Sequence, residues 1–169
     1  MKIGVLALQG DFQKHHDMLV QLEVETQFVK YPDQLENCHG LIIPGGESTT
    51  LTKQMKYSGL YEPIIEFGQH NPIFGTCAGL IMLAAEVDDS RVNPLGLLEV
   101  SVHRNGWGRQ VHSSTEYIKL NFDDAPLKAT FIRAPSITAN NGQVKVLAEF
   151  EPETAEEPVF SKPIRGDQC

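Results

Sequence analysis

A strand that runs directly into a glycine-flanked cysteine, and then into a helix, is the feature that most constrains this sequence. Residues 73–83 place the motif Gly-Thr-Cys-Ala-Gly between two apolar segments, with Cys77 at its centre. Because glycine has no Cβ, two neighbouring glycines allow a strained strand-to-helix turn that exposes the side chain between them. Most cysteines are buried and do no chemistry, but this context favours a nucleophile. The sequence therefore predicts an α/β fold in which Cys77 attacks the substrate.

Strand-like and helix-like segments alternate in the first half of the chain. Strands are predicted at residues 2–8, 26–29, 40–43 and directly before Cys77, and helices at residues 12–22, 49–57 and 60–70, with Ser48 as a helix N-cap. This alternation predicts a three-layer, flavodoxin-like α/β fold with a mostly parallel sheet. Because the carboxyl ends of parallel strands share one edge, we expect the loops after Leu8, Ile43 and Gly75 to meet there.

The second half of the chain has further strand-like segments and an acidic tail. Strands are predicted at residues 96–102, 116–120, 129–132 and 144–150, as the later strands of an elaborated α/β sheet. Residues 151–158 are rich in glutamate and proline, which is typical of a loop. Since 169 residues suit one domain, we expect a single domain over residues 1–169.

Composition narrows the classes of function. The net charge is −8 and the lysines and arginines are scattered, so no basic face for nucleic acid is expected. The apolar runs are far shorter than a membrane span, and the sequence predicts a soluble, cytoplasmic protein without a membrane partner. The cysteines at positions 38, 77 and 169 are widely spaced and form no metal-type pair, which indicates reduced thiols and no metal site.

Two backbone segments at the predicted sheet edge could stabilise an oxyanion. A thiolate that attacks an amide carbon creates a negatively charged oxygen, which needs N–H donors. The N–H of Ala78 directly follows the nucleophile, and the glycine pair at 45 and 46 could turn a second N–H toward the same point. An ordinary tight turn after Pro44 is the alternative for this pair. Its position after an apolar strand favours Gly46 as an oxyanion donor.

Three arginines could bind a carboxylate. Arg104 and Arg109 lie in a segment with asparagine, glycine and tryptophan, and Arg133 follows a predicted strand directly before Ala-Pro. A guanidinium group binds a carboxylate through two parallel N–H bonds. A solvated loop is the alternative for Arg109, and a surface salt bridge is the alternative for Arg133.

Five motifs in the same order resemble the glutaminase subunits of pyridoxal 5′-phosphate synthase, a family of class I (triad) glutamine amidotransferases. The motifs lie at residues 6–11, 44–50, 75–79, 104–110 and 131–135. The resemblance implies hydrolysis of L-glutamine to glutamate and ammonia through a thioester on Cys77, without a cofactor. It also implies a hetero-oligomer with a separate synthase subunit, which uses the ammonia to build pyridoxal phosphate in vitamin B6 biosynthesis.

The resemblance implies a substrate site built from several parts of the chain. Cys77 matches the nucleophile that forms the glutamyl thioester. The positions that match glutamine-binding residues of the family are Gly46, Glu47, Ser48, Arg104, Ile132 and Arg133. The loop that contains Gly46 would also help to form the oxyanion hole, together with the N–H of Ala78.

The resemblance also implies a surface that meets the synthase subunit. Gln9, Gly10 and the helix that follows them match this surface, and His15 lies on that helix. The family often has a Glu-His pair here, whereas this chain has Lys14 before His15. We therefore expect an altered contact with the synthase subunit.

One part of the family's machinery is absent from residues 1–169. The resemblance implies that a His-Pro-Glu motif on a late strand supplies the base for the thiol proton and the acid that orients it. The sequence contains no His-Pro-Glu, the last of its six histidines is His112, and His103 is not expected to act as the base. We expect the chain to stop short of the final strand, leaving a glutamine pocket with turnover reduced by about 10⁴- to 10⁶-fold.

Two other functions stay open at this point. The chain could be a module that binds glutamine or the synthase subunit without hydrolysing glutamine. Labelling of Cys77 by a glutamine-like electrophile would separate a reactive pocket from an inert one. The chain could also be another α/β protein with a Gly-x-Cys-x-Gly turn, of the PfpI kind. The loop with Glu47 and the pair Arg104-Asn105 argue against this reading.

Overall fold

Four short parallel strands form the first sheet of the molecule. They are β1 (Lys2–Leu6), β2 (Glu25–Val29), β3 (Gly40–Ile43) and β4 (Ile73–Gly75), and their order is β2-β1-β3-β4. This computed structural model describes residues 1–104, 114–131, 135–139 and 144–149. Val5 of the central strand β1 pairs with Phe28 on one side and Ile42 on the other, and Val5 has no exposed surface. The apolar runs that predicted these strands therefore supply the core.

The winding of the chain reverses within this sheet. From β1 the chain moves outward to β2, and it then returns past β1 to β3 and β4. In open α/β sheets, ligands bind outside the carboxyl ends of the strands where the winding reverses in this way. The reversal lies between β1 and β3, so the loops that follow these two strands flank the expected site.

Four helices connect or follow these strands. They are α1 (Phe12–Gln21), α2 (Ser48–Tyr57), α3 (Tyr61–Gly68) and α4 (Ala78–Leu83). Apolar side chains of α2, α3 and α4 enter the core, where Met55, Ile64 and Met82 have no exposed surface. In contrast, α1 contributes no fully buried residue. Among the described residues, no helix has the length and apolar character needed to cross a membrane.

The N-cap of α2 differs from the prediction. Ser48 was expected to cap this helix, but it is the first helical residue, and Glu47 is the cap. The Glu47 carboxylate accepts hydrogen bonds from the N–H groups of Thr49 and Thr50 at 3.2 and 2.6 Å. A carboxylate at this position also interacts favourably with the helix dipole. The capping prediction is therefore wrong by one residue, because a glutamate with an extended backbone can reach the free N–H groups itself.

A second sheet contains β5 (Ala84–Val87), β6 (Leu98–His103) and β9 (Ser136–Ala139), in the order β5-β6-β9, and β5 runs parallel to β6. The sequence did not predict β5, because Ala84 follows α4 without a glycine or proline to mark the change. At Ala84 the backbone turns from helical to extended within one residue, with ψ of 154°. The strand β9 was not predicted either.

The chain divides into two compact units. The first unit comprises Met1–Arg104 and Ile137–Val144, and the second comprises Asn105–Ser136 and Lys145–Cys169. In the second unit, β7 (Ser114–Leu120) pairs with β8 (Leu127–Phe131) and with β10 (Ala148–Glu149), and both pairings are antiparallel. The single-domain organisation stays a prediction, as does the missing final strand, because residues 150–169 lie outside the described residues.

Candidate active site

Cys77 lies on the predicted strand-to-helix turn. It follows β4 as the N-cap of α4, with φ of 49° and ψ of −106°. Positive φ is uncommon for a residue with a Cβ, and such backbone strain often accompanies functional positions. The thiol is free and the residue is exposed. The geometry of the nucleophile turn therefore agrees with the prediction, while the catalytic role of Cys77 stays a prediction.

The glycines beside Cys77 allow close packing. A Cβ on Gly79 would lie 2.0 Å from the carbonyl oxygen of Ile43, and a Cβ on Gly75 would lie 2.6 Å from the carbonyl carbon of Gly79. Such distances are far inside van der Waals contact, so any larger residue would push α4 away from β3. The two glycines of the motif Gly-x-Cys-x-Gly therefore allow the turn to pack closely against β3. The positive φ belongs to Cys77 itself.

The loop after β3 approaches the nucleophile directly. A Cβ on Gly45 would lie 3.3 Å from the Cβ of Cys77, so there is little room for a side chain at position 45 beside the nucleophile. The N–H of Thr76 also donates to the carbonyl of Ile43 at 3.1 Å, which joins the ends of β3 and β4. Gly46 has φ of 147°, a conformation that favours glycine. Ala78 is the first residue of α4, and the first N–H groups of a helix generally have no carbonyl acceptor within that helix.

Gln9, in the loop after β1, forms two hydrogen bonds with the loop after β3. Its side-chain Nε2 donates to the carbonyl of Glu47 at 2.8 Å, and the Glu47 N–H donates to Gln9 Oε1 at 3.3 Å. The neighbouring Gly10, with φ of 77°, lies so close that its Cβ would fall 1.7 Å from the carbonyl oxygen of Gly45. Sequence reasoning assigned Gln9 and Gly10 only to the partner surface. The structure adds that both residues shape the loop beside Cys77.

His15 also lies closer to the nucleophile than the sequence suggested. Its Nε2 is 3.4 Å from Oγ1 of Thr76, the residue before Cys77. This contact joins α1 to the cysteine turn. His15 was predicted only as part of the partner surface, and that role stays a prediction.

Arg104 forms an ion-pair network with residues from two loops. It follows β6, and its guanidinium contacts the Glu47 carboxylate through Nη2 and Asp89 Oδ2 through Nη1, the latter at 2.6 Å. Its N–H donates to Asp88 Oδ1 at 2.8 Å. Sequence reasoning missed both aspartates. The available signal was the Asp-Asp pair itself, which lies too far from Arg104 along the chain for a local pattern to connect them.

Glu47 remains charged over the whole neutral range. Partial burial raises the pKa of its carboxyl, but hydrogen bonds from Thr49 and Thr50 outweigh this and bring the pKa down to about 2. The carboxylate thus holds a negative charge beside the Arg104 guanidinium. Together the two side chains present the opposite charges that an amino acid zwitterion carries.

Replacing Glu47 with glutamine is expected to reduce the acid sensitivity of folding. A carboxyl whose pKa is lower in the folded chain stabilises the fold above its unfolded pKa, and this contribution is lost as the pH falls toward the folded pKa. For Glu47 the window runs from pH 4.5 down to about 2. Because 44% of the side chain is exposed, solvent screens the interaction, and we expect about 1 kcal/mol at neutral pH.

Urea unfolding at pH 7 and pH 3 measures this contribution. The difference in unfolding free energy between the wild type and Glu47→Gln should shrink by more than half at pH 3. An equal difference at both pH values would contradict the assignment.

Several predicted site residues come together, and others lie outside the described residues. The loops and turn described above unite Gln9, Gly10, His15, Gly46, Glu47, Cys77, Ala78 and Arg104. Ser48 is almost fully buried, and its Oγ has no hydrogen-bond partner within the described part of the chain. Ile132 and Arg133 lie outside the described residues, and so does Arg109. His103 Nδ1 faces Asp88 Oδ2 at 3.3 Å.

Comparison with known proteins gives consistent matches. The profile of the SNO glutamine amidotransferase family matches residues 5–158. The pyridoxal 5′-phosphate synthase subunit PdxT of Desulforamulus reducens is 49% identical over 152 residues, covering 89% of this chain and 81% of that protein. PdxT of Pelotomaculum thermopropionicum is 47% identical, covering 89% and 78%. A crystal structure of a glutamine amidotransferase matches with a TM-score of 0.81 and 39% identity, covering 88% of this chain and 79% of the other. This likeness confirms the predicted α/β class with a mostly parallel sheet.

Proposed function

Because this chain belongs to the SNO glutamine amidotransferase family, we propose that it is the glutaminase subunit of a pyridoxal 5′-phosphate synthase. Its reaction is the hydrolysis of L-glutamine to glutamate and ammonia, with Cys77 as the nucleophile. The observation that carries this proposal is the strained, exposed turn of Cys77, with Gly45 packed beside it at the carboxyl edge of the sheet.

The reaction proceeds through a thioester. The sulfur of Cys77 attacks the side-chain amide carbon of glutamine, and the carbonyl oxygen takes up negative charge in the tetrahedral intermediate. In our proposal, the N–H groups of Ala78 and Gly46 donate hydrogen bonds to this oxygen. The C–N bond then breaks, and ammonia leaves with the proton that the thiol gave up. Water attacks the thioester carbon, which releases glutamate and restores the thiol.

Charge complementarity supports glutamine as the substrate. Free glutamine carries an ammonium and a carboxylate on its α-carbon, and the site holds Glu47 and Arg104 as partners of opposite charge. A guanidinium binds a carboxylate through paired N–H donors. In our proposal, Arg104 receives the α-carboxylate and Glu47 the α-ammonium, together with the predicted contributions of Ile132 and Arg133.

The surface around α1 is proposed to bind the synthase subunit. Gln9, Gly10 and His15 border both α1 and the nucleophile turn, so a partner at this surface would lie beside the site that releases ammonia. Met18 on this helix and Leu22, its C-cap, are exposed by 56% and 65%, which supports an apolar contact. Since Cys77 must stay reduced to react, we place this activity in the cytoplasm.

A module that binds glutamine without hydrolysing it is the second candidate function. The observation that favours it is the ion pair of Glu47 and Arg104, which can hold the charged groups of glutamine without a catalytic base. One experiment separates the two. The purified chain is incubated with glutamine and a pyridoxal 5′-phosphate synthase subunit, and glutamate and ammonia are measured. Release of both in equal amounts supports the glutaminase, whereas saturable glutamine binding without release supports the binding module. Absence of binding and release would contradict both.

A further inference from the structure

The Asp-Asp pair between β5 and β6 holds Arg104 from two directions. Asp88 accepts the backbone N–H of Arg104 at 2.8 Å, and Asp89 Oδ2 accepts Nη1 of its guanidinium at 2.6 Å. The side chains of Asp89 and Arg104 are only 13% and 18% exposed. The two aspartates therefore fix both the backbone and the charged end of Arg104.

Asp89 is itself held in the charged form. Arg91 donates to Asp89 Oδ1 through Nε at 2.9 Å and to Oδ2 through Nη2 at 2.7 Å. These bonds, with a smaller contribution from Arg104, hold the pKa of the Asp89 carboxyl well below its usual range. The carboxylate thus bridges an exposed arginine and the arginine of the proposed glutamine site.

Because of Asp89, the two terminal nitrogens of the Arg104 guanidinium contact different carboxylates. Nη1 is bound to Asp89, while Nη2 contacts the carboxylate of Glu47. Without Asp89, both ends of the guanidinium would be free to form a two-bond pair with Glu47, which is the preferred geometry of arginine and a carboxylate. Glutamine would then have to break a stronger internal pair before either residue could bind it.

We propose that Asp89 is a positioning residue for substrate binding, which keeps the Arg104 guanidinium from collapsing onto Glu47. The inference rests on the proposed function, since it assigns Asp89 to the recognition of glutamine at that same site. Asp89 acts through Arg104 and does not contact the reacting atoms. Its loss is therefore expected to weaken glutamine recognition and to leave the reactivity of Cys77 unchanged.

The test uses the full chain and a diazoketone analogue of glutamine. In the labelling reaction, the diazo carbon takes a proton and the sulfur of Cys77 displaces dinitrogen, which leaves a thioether. The concentration dependence of labelling gives an apparent affinity and a maximal rate. Asp89→Asn should raise the half-saturating concentration about tenfold, with a maximal rate within about twofold of the wild type. Labelling by iodoacetamide, which has no amino acid group to recognise, should stay within the same range.

Two further variants distinguish positioning from a general structural role. Glu86→Gln removes one carboxylate from β5, where Glu86 accepts a hydrogen bond from Ser101, and should leave the half-saturating concentration unchanged. In an Arg104→Met background, Asp89→Asn should have no additional effect on this concentration, because the positioned group is gone. An additional tenfold effect there would overturn the inference.

The outcomes also separate this inference from the proposed function. A wild-type chain that iodoacetamide labels and the analogue never labels would overturn the proposed function itself. Saturable labelling of the wild type with an unchanged half-saturating concentration in Asp89→Asn would overturn only the inference. A parallel fall in labelling by both reagents in Asp89→Asn would show a disturbed Cys77 turn and would also overturn it.

Discussion

Replacing Cys77 with serine is expected to abolish covalent capture of the glutamine analogue. Cys77 is an exposed residue with a free thiol, and it lies on the turn between β4 and α4. Serine keeps nearly the same shape, but its hydroxyl is a far weaker nucleophile than a thiolate. We expect the labelling rate to fall by at least about 10⁴-fold. Mass spectrometry of the intact chain after incubation with the analogue measures this loss.

Cys38 provides the matched control for this substitution. Its thiol is buried and donates to the carbonyl of Gln34 at 3.3 Å, and burial raises its pKa. A Cys38→Ala variant should therefore capture the analogue like the wild type. Undiminished capture by Cys77→Ser would place the reactive group elsewhere and would contradict the assigned nucleophile.

Replacing Gly10 with alanine is expected to damage both folding and the site. Gly10 has φ of 77°, and an added Cβ would lie 1.7 Å from the carbonyl oxygen of Gly45. The left-handed backbone and the clash with another backbone atom each cost free energy, and together we expect a loss of about 3 kcal/mol in unfolding free energy. The displaced loop also carries Gly46, so labelling of Cys77 by the glutamine analogue should weaken. Chemical denaturation and the labelling rate measure the two effects.

Gly96 provides the matched control for Gly10, because alanine at position 96 would meet the free-energy cost of a positive φ without a steric clash. Its φ is 67°, and an added Cβ would meet no atom within 4 Å. Gly96→Ala should therefore lose only about 1 kcal/mol and keep full labelling. Equal losses in Gly10→Ala and Gly96→Ala would mean that the close approach of Gly10 to Gly45 contributes nothing.

The sequence best predicted the strands whose ends are marked by glycine or proline. The strand β3 ends at Pro-Gly-Gly, and β4 ends at the glycine before the cysteine turn, so both were predicted from short apolar runs. The strand β5 was missed because its first residues continue the apolar pattern of α4. The cap of α2 was misplaced by one residue, since serine is a more frequent N-cap than glutamate. Local pattern therefore predicted the first sheet better than the second.

In the candidate site, too, features encoded by neighbouring residues were predicted, whereas contacts between residues distant in the sequence were missed. The nucleophile turn and the loop around Gly46 were predicted because each is encoded within a few residues of chain. The two-way bond between Gln9 and Glu47 joins residues 38 positions apart, and the bond between Asp89 and Arg104 joins residues 15 positions apart. Such pairs depend on how strands are ordered in the sheets, which local sequence does not specify. Arg104 was predicted from its own segment and from the family resemblance, Glu47 from the resemblance, and the residues that hold both were found only in the structure.

The positive φ of Cys77 lowers the stability of the fold at the residue that we propose as the nucleophile. A residue with a Cβ in this conformation is less stable than glycine would be, by about 1–3 kcal/mol. A chain selected only for a stable fold would therefore favour glycine over cysteine at the end of β4. Thermostabilising substitutions found by screening for stability alone would accumulate at this turn and silence it. Selection for reactivity, rather than for stability, is what would favour a cysteine at so strained a position.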